Sequence, residues 1–222
     1  MNMLGMPMAR GVGGHAIPDL LPVWLGIVWT ALCLAIAASH LRHMALTEGQ
    51  RRSWHACHVL MAFGMAFMYV PAQLDPVAVS PGFWKFTFAA AGLIAAIWAI
   101  GGVGRVSTLI WLLTSIDLGV MLYMWTSPTR SSSAPLTWLL VAYLAAEGVM
   151  WALDLYRRLD GATPIVSWRL LAVESGSVAS LRSAAGEQQQ SGALIGELDI
   201  SASMIALTLG MAYMLAAMQL MS

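Results

Sequence analysis

The sequence predicts an all-α integral membrane protein, a bundle of six transmembrane helices with both termini outside the cytoplasm. Of its 222 residues, 59% are hydrophobic and only 10% are charged, whereas a soluble domain usually carries about 25% charged residues. Six apolar stretches reach the length that a spanning helix needs, about 20 residues with roughly 17 as the lower limit. Basic residues are concentrated in alternate connections between these stretches. Lipid is therefore the expected surroundings of most of the chain.

The six predicted spans are separated by segments rich in Gly, Pro and Ser, which favour turns. In lipid a helix satisfies its own backbone hydrogen bonds, so each apolar stretch is most simply a helix. The first stretch is about 20 residues long and is predicted to be a retained helix, not a cleaved signal peptide. The predicted spans are Leu20–Ser39, Trp54–Val70, Phe83–Val103, Ser107–Thr126, Leu136–Tyr156 and Ser203–Met221.

The basic residues predict the orientation, because Lys and Arg are enriched in cytoplasmic connections. The first, third and fifth connections hold Arg42, Arg51, Arg52, Arg105, Arg157, Arg158, Arg169 and Arg182. The opposite side holds Arg10, Lys85 and Arg130. The odd-numbered connections are therefore expected in the cytoplasm and residues 1–19 outside it. The predicted location is the inner (cytoplasmic) membrane, which the chain would cross several times.

The fifth connection, residues 157–202, is the only long one. Its segment Ser183–Gly192 has the composition of a flexible chain. We predict a flexible cytoplasmic loop here, and a docking segment for a cytoplasmic partner is the alternative. The predicted organisation is then helices one to five in residues 20–156, the loop, and a sixth helix in residues 203–222.

A Met-x-x-Met pair recurs in the second, fourth and sixth spans. The pairs are Met65 and Met68, Met121 and Met124, and Met211 and Met214. The second interval is longer than the first by about the extra length of the fifth connection. This spacing predicts three helical-hairpin repeats, a known route to membrane bundles. Chance enrichment of Met is the alternative.

His58 shares one helical face with three Met residues of the second span. At about 100° per residue, the four side chains fall within a sector of roughly 80°. Thioether and imidazole ligands together favour Cu(I), although unbranched Met also fills irregular helix interfaces. We predict a soft-metal site with copper as the candidate cofactor, and packing is the alternative. The candidate ligands are His58, Met61, Met65 and Met68, with Met211 and Met214 facing them.

Two carboxylates, Asp117 and Glu147, lie near the centres of neighbouring predicted spans. A carboxylate at the bilayer centre costs about 2.5–3.5 kcal/mol on insertion scales, so such residues usually face an interior or a partner. In the repeat alignment Thr114 takes the place of His58, and Asp117 takes that of Met61. The carboxylate pair is interpreted as hydrogen-bonded contact between helices, as a proton or cation path, or as hard ligands for a metal.

Four His residues surround the first connection as two His-x-x-His pairs. They are His40, His43, His55 and His58. Four imidazoles at one hairpin could bind Zn or Cu, or supply a haem ligand. For all but His58 we prefer an interfacial position beside the neighbouring Arg residues.

Other functional classes lack support in the sequence. The net charge is zero and no basic patch is interleaved with aromatic residues, so no nucleic-acid partner is predicted. There is no P-loop, G-x-S-x-G, H-E-x-x-H or C-x-x-C motif, and no enzymatic activity is predicted. Cys33 and Cys57 both fall in apolar segments, which gives no disulfide framework.

The motif His58-x-x-Met61, followed by Met65-Ala-Phe-Met68 and by Met211-Ala-Tyr-Met214 in the last span, resembles an uncharacterised family of actinobacterial integral membrane proteins. That family is catalogued as a domain of unknown function, and the resemblance covers about residues 20–220. It implies a helical membrane fold and no established activity. The middle Met helix of the family also tends to carry His, where this chain has Thr114.

Three functions remain open from the sequence. The first is binding or handling of a soft metal, copper, within the bilayer. The second is a structural or accessory subunit of a larger membrane complex, for which the partner is another membrane protein or a second copy of the chain. The third is a small transporter that uses Asp117 and Glu147 as a proton-coupled pair.

Overall fold

The structure is a computed structural model that describes residues 22–70, 79–101, 108–126, 134–159 and 186–220. For 155–159 and 186–198 only the backbone is described. Every regular element in these ranges is helical, as predicted. The helices are α1 (Val23–Leu46), α2 (Gly49–Tyr69), α3 (Pro81–Gly101), α4 (Thr108–Thr126), α5 (Ala134–Leu159) and α6 (Gly186–Leu220).

Five of the described helices are long and apolar enough to cross a membrane. The five segments are Val23–Leu46, Pro81–Gly101, Thr108–Thr126, Ala134–Asp154 and Asp199–Leu220. These helices indicate a multi-pass membrane protein. Helix α2 is not among them, because Arg51, Arg52 and His55 make its first two turns polar. A sixth span at α2 and the placement of the termini stay predictions.

Helix α6 begins at Gly186, inside the stretch for which the sequence predicts a flexible loop. Glu and Gln, which dominate 187–190, favour helices when exposed, although they are also common in disordered segments. Composition alone does not separate these two outcomes. The rest of the predicted loop, residues 160–185, lies outside the described residues, as does the predicted extracytoplasmic segment 1–19.

The described helices pack most closely in three consecutive pairs, which are α1 with α2, α3 with α4, and α5 with α6. Packing of consecutive helices is compatible with three helical hairpins, and the repeat predicted from the Met spacing stays a prediction. The first hairpin closes in a very short connection, where Gly49 adopts a φ of +62°, a left-handed conformation that glycine enters without steric cost. Weaker contacts join α2 to α4 and α1 to α6.

The even-numbered helices lie toward the interior of the bundle. In the most apolar part of α4 and α6, 44% and 56% of residues are buried, against 22–28% in α1, α3 and α5. The odd-numbered helices instead expose large apolar side chains such as Trp24, Phe86 and Ile100. Such an exposed apolar surface is consistent with contact between these helices and lipid.

Two glycines on the even-numbered helices allow thioether side chains to approach the backbone of a neighbouring helix. A Cβ atom on Gly64 would lie 2.9 Å from Cε of Met121, and one on Gly210 would lie 2.8 Å from Cε of Met65. These distances leave no room for a methyl group. The Met side chains therefore fill the interfaces of α2 with α4 and of α2 with α6.

Candidate functional site

The structure places all six predicted soft-metal ligands in the interior of the bundle. His58, Met61, Met65, Met68, Met211 and Met214 are all buried. The remaining Met pair of the repeat, Met121 and Met124, is buried as well. The three Met-x-x-Met faces therefore point inward. Burial is expected both of metal ligands and of side chains that only pack, so it does not distinguish these two interpretations.

The imidazole of His58 is held in one orientation and one tautomer. Its Nδ1 lies 2.8 Å from the carbonyl oxygen of Trp54, one helical turn earlier. A carbonyl oxygen only accepts hydrogen bonds, so Nδ1 carries the proton and Nε2 has a free lone pair. The residue is fully buried, and Nε2 has no hydrogen-bond partner among the described residues. Such a nitrogen is suited to accept a proton or to bind a metal.

Asp117 of α4 and Glu147 of α5 lie close together in the interior, where they line one cavity and interact electrostatically with each other. Only 1% of Asp117 and 4% of Glu147 is exposed. The hydroxyl of Tyr143 donates to Oδ1 of Asp117 at 3.2 Å. The indole Nε1 of Trp151 donates to Oε1 of Glu147 at 3.4 Å. The two carboxyl groups thus form one buried unit with two neutral donors around it.

A small cavity lies beside this carboxylate pair. Its volume is about 30 Å³, and a single water molecule needs at least about 10–15 Å³. Asp117, Glu147 and Thr114 line it, together with Trp54 of α2 and Met204 of α6. The hydroxyl of Thr114 donates its proton to the carbonyl oxygen of Ile110 at 2.9 Å. The oxygen of this hydroxyl can therefore still accept a hydrogen bond. The three predicted intramembrane polar residues, Asp117, Glu147 and Thr114, therefore line the same cavity.

The structure differs from the sequence prediction at His40 and His55, which lie in the interior and not at the interface. Their exposed fractions are 1% and 5%. Nδ1 of His40 lies 3.0 Å from Nδ1 of His55, and Nε2 of His40 lies 3.0 Å from Oγ of Ser203. The ring of His58 stacks on that of His40. Helix α6 covers this end of the first hairpin through Ser203, and no local sequence pattern indicates that contact.

Sequence reasoning missed the roles of Trp54 and Ser203. Trp54 lies between the His residues and the carboxylates, because its ring contacts that of His58 at 4.1 Å and also lines the cavity. Its position four residues before His58 was a signal that could have revealed the contact. Ser203 approaches His40 only through the tertiary fold, so no local pattern could have identified it.

No three His, Cys, Asp or Glu side chains are gathered as a ready metal-ligand set in the described part of the chain. Cys33 and Cys57 are free thiols. A hard-ligand metal site at the carboxylate pair would therefore lack a third ligand of these types.

A family profile described as domain of unknown function (DUF5134) matches residues 50–218. The chain belongs to this family. The match covers most of α2 and continues into α6, so the carboxylate pair and all three Met pairs lie inside the DUF5134 region. Helix α1, with His40 and His43, precedes it. The predicted resemblance to a family of unknown function is confirmed. No curated protein and no solved structure matches the chain.

Proposed function

We propose that this DUF5134 protein moves protons through the membrane as a small proton-coupled transporter, with Asp117 and Glu147 as the proton-carrying pair. The observation that carries the proposal is the burial of these two carboxyl groups beside each other, where both line one cavity and each acts electrostatically on the other. Ionisable residues inside a membrane are costly, and in known proteins they mark proton relays and ion pathways.

The chemistry of the pair supports a single exchangeable proton. Two carboxylates in contact cannot both be ionised in a site of low dielectric, because their repulsion adds to the cost of burying each charge. One of the two carboxyl groups therefore carries a proton. Tyr143 donates to Oδ1 of Asp117 and Trp151 donates to Oε1 of Glu147, and these hydrogen bonds stabilise the single negative charge. The unit can therefore accept a second proton and release it again without becoming doubly charged.

The cavity supports a route by which that proton arrives. Its volume of about 30 Å³ accommodates one or two water molecules, and water is a good carrier of protons over short distances. Trp54 lines the cavity, and its ring also contacts that of His58. The Nε2 of His58, which has no partner among the described residues, is a second proton acceptor near Trp54.

Proton flux into vesicles tests this proposal. The protein is reconstituted in liposomes that contain a pH-sensitive dye, and a potassium gradient with valinomycin sets the membrane potential. We expect proton entry above that of protein-free vesicles, and we expect Asp117→Asn to reduce it to the protein-free level. Glu48→Gln, the matched removal of an exposed carboxylate, should leave it unchanged. Wild-type flux equal to that of protein-free vesicles, or full flux in Asp117→Asn, contradicts the proposal.

A second candidate function, soft-metal binding at His58 and the Met residues, is favoured by one observation. The buried Nε2 of His58 has a free lone pair and no partner among the described residues, and buried thioethers share its helix face. Against it, Cε of Met65 packs on Gly210, which is the behaviour of a space-filling side chain.

Copper analysis of the purified protein under reducing conditions tests this candidate. The double variant His58→Ala and Met65→Leu should lose bound Cu(I), whereas Met218→Leu, a half-buried Met outside the predicted ligand set, should retain it. Absence of copper from the wild type, or equal copper in the double variant, excludes the site.

A further inference from the structure

We propose that His40, His43 and His55 form a binding site for a divalent transition-metal ion at the end of the α1–α2 hairpin. The site is separate from the carboxylate pair and does not depend on the proposed proton transfer. It also differs from the predicted Cu(I) site, since it uses imidazoles without thioethers. Imidazole nitrogen is the ligand type that suits Zn²⁺, Cu²⁺ and Ni²⁺, whereas Mg²⁺ and Ca²⁺ prefer oxygen.

The first argument is the distance between two ring nitrogens. Nδ1 of His40 and Nδ1 of His55 lie 3.0 Å apart in the interior. Two imidazole nitrogens bound to one tetrahedral Zn²⁺ at about 2.0–2.1 Å are roughly 3.3 Å apart. The pair therefore needs to move by only a few tenths of an ångström to hold a metal ion between its nitrogens. One proton occupies that place in the structure, because one of two hydrogen-bonded imidazole nitrogens must be a donor.

The second argument concerns the hydrogen bonds that the other ring nitrogens make. Metal-ligating His almost always donates its second ring N–H to a carbonyl, carboxylate or similar acceptor, which fixes the ring. The hydroxyl of Ser203 donates to the carbonyl oxygen of Ile200 at 2.7 Å, so its oxygen is the acceptor for Nε2–H of His40 at 3.0 Å. Nδ1–H of His43 donates to the carbonyl oxygen of Ser39 at 3.0 Å. Nδ1 of His40 and Nε2 of His43 therefore carry lone pairs, and that of His40 accepts the hydrogen bond from Nδ1–H of His55.

The third ligand comes from His43, whose ring centre lies 5.3 Å from that of His55. Rings bound to one tetrahedral ion have centres roughly 5 Å apart, so the separation already fits. The two rings are stacked at 26°, and no three ligand side chains of these described helices yet converge on one point. Binding therefore requires the half-buried ring of His43 to rotate about its side-chain bonds until Nε2 faces the other two nitrogens.

The charges around the site allow it to hold a cation. Asp199 of α6 accepts a hydrogen bond from the hydroxyl of Ser39 and acts electrostatically on His43. Its carboxylate offsets part of the charge of a bound ion. The positive charges of Arg42 on α1 and Arg51 on α2 have the opposite effect, because they interact electrostatically with His43 and His55 and repel a cation. Metal binding at Nδ1 of His55 requires the proton there to move to Nε2 of the same ring, so that a neutral imidazole binds the ion and no net proton is released.

The experiment is a Zn²⁺ titration of detergent-purified full-length protein that carries an affinity tag without histidine. Competition with a chromogenic chelator measures the affinity, and Co²⁺ in place of Zn²⁺ reports tetrahedral coordination by its visible absorption. We expect a single ion per chain in the wild type. His43→Gln should weaken binding at least about tenfold, and Ser203→Ala, which frees His40 to rotate, about 10–100-fold. His15→Gln is the matched control and should bind as the wild type does.

Several outcomes overturn the proposal. They are no Zn²⁺ binding by the wild type at micromolar concentrations, equal affinity in His43→Gln, and loss of binding in His15→Gln. Among the described residues the side chain of His43 makes one hydrogen bond, to the backbone of its own helix, besides its ring contacts, so His43→Gln should keep the thermal stability of the wild type. Asp117→Asn and Met65→Leu should keep Zn²⁺ affinity, which separates this site from both functions proposed above.

Discussion

Gly64→Ala is expected to destabilise the bundle because the central helices meet at this glycine. A Cβ atom there would lie 2.5 Å from Cζ of Phe88 and 2.9 Å from Cε of Met121. The thioether can move aside, but Phe88 is fully buried and its ring is rigid. The added methyl group must therefore push α2 away from α3 or distort the core. Overpacking of this kind typically costs about 1–3 kcal/mol.

Gly119→Ala on α4 is the matched control, since a Cβ atom there meets nothing within 4 Å. Both substitutions gain helix propensity of about 0.8–1.0 kcal/mol, and this gain cancels when the two variants are compared. The free energy of unfolding of Gly64→Ala should therefore be lower than that of Gly119→Ala by about 1–3 kcal/mol. Unfolding in mixed micelles by added sodium dodecyl sulfate, followed by tryptophan fluorescence, measures the difference. Equal stabilities would refute the close packing of α2 on α3 and α4.

Two further predictions test the contact of α2 with α6 and the orientation in the membrane. Tyr69→Phe removes a buried hydroxyl that donates to the carbonyl oxygen of Gly210 at 3.0 Å, so it should lower the unfolding free energy by about 0.5–1.5 kcal/mol. Tyr213→Phe, at an exposed tyrosine, should change it little, and the same loss in both variants would contradict the contact. A cysteine introduced at Ser132 should react with a membrane-impermeant maleimide from outside intact cells, and one at Ser191 only after lysis. The reverse pattern would overturn the predicted orientation.

The helical membrane fold was predictable because apolar length and low charge depend on composition alone. The inward position of Met65, Met121 and Met211 was only a conditional expectation, because equivalent places in three helices do not decide whether these faces meet one another or the lipid. Asp117 and Glu147 lie on sequence-adjacent antiparallel helices, and this explains why their meeting could be anticipated.

The His cluster could not be predicted in the same way. Periodicity identifies residues that share a face of one helix, but the contact of His40 with His55 depends on the rotation of α1 against α2. Its burial depends on Ser203, which is 163 residues away from His40. The start of α6 at Gly186 was missed because a polar Glu- and Gln-rich stretch is compatible with either helix or loop. The sequence therefore left two features unpredicted: the His cluster, which depends on tertiary packing, and the start of α6, where the composition favours neither helix nor loop.

Infrared spectroscopy of the carboxyl groups tests the proton-sharing pair most directly. A protonated carboxyl group has a C=O stretching band that a carboxylate lacks, and this band shifts when the exchangeable proton is replaced by deuterium. At neutral pH the wild type in lipid should show such a band, and the difference spectrum against the double variant Asp117→Asn and Glu147→Gln should assign it to the pair. Absence of the band from the wild type, or its full retention in the double variant, would contradict a proton held between Asp117 and Glu147.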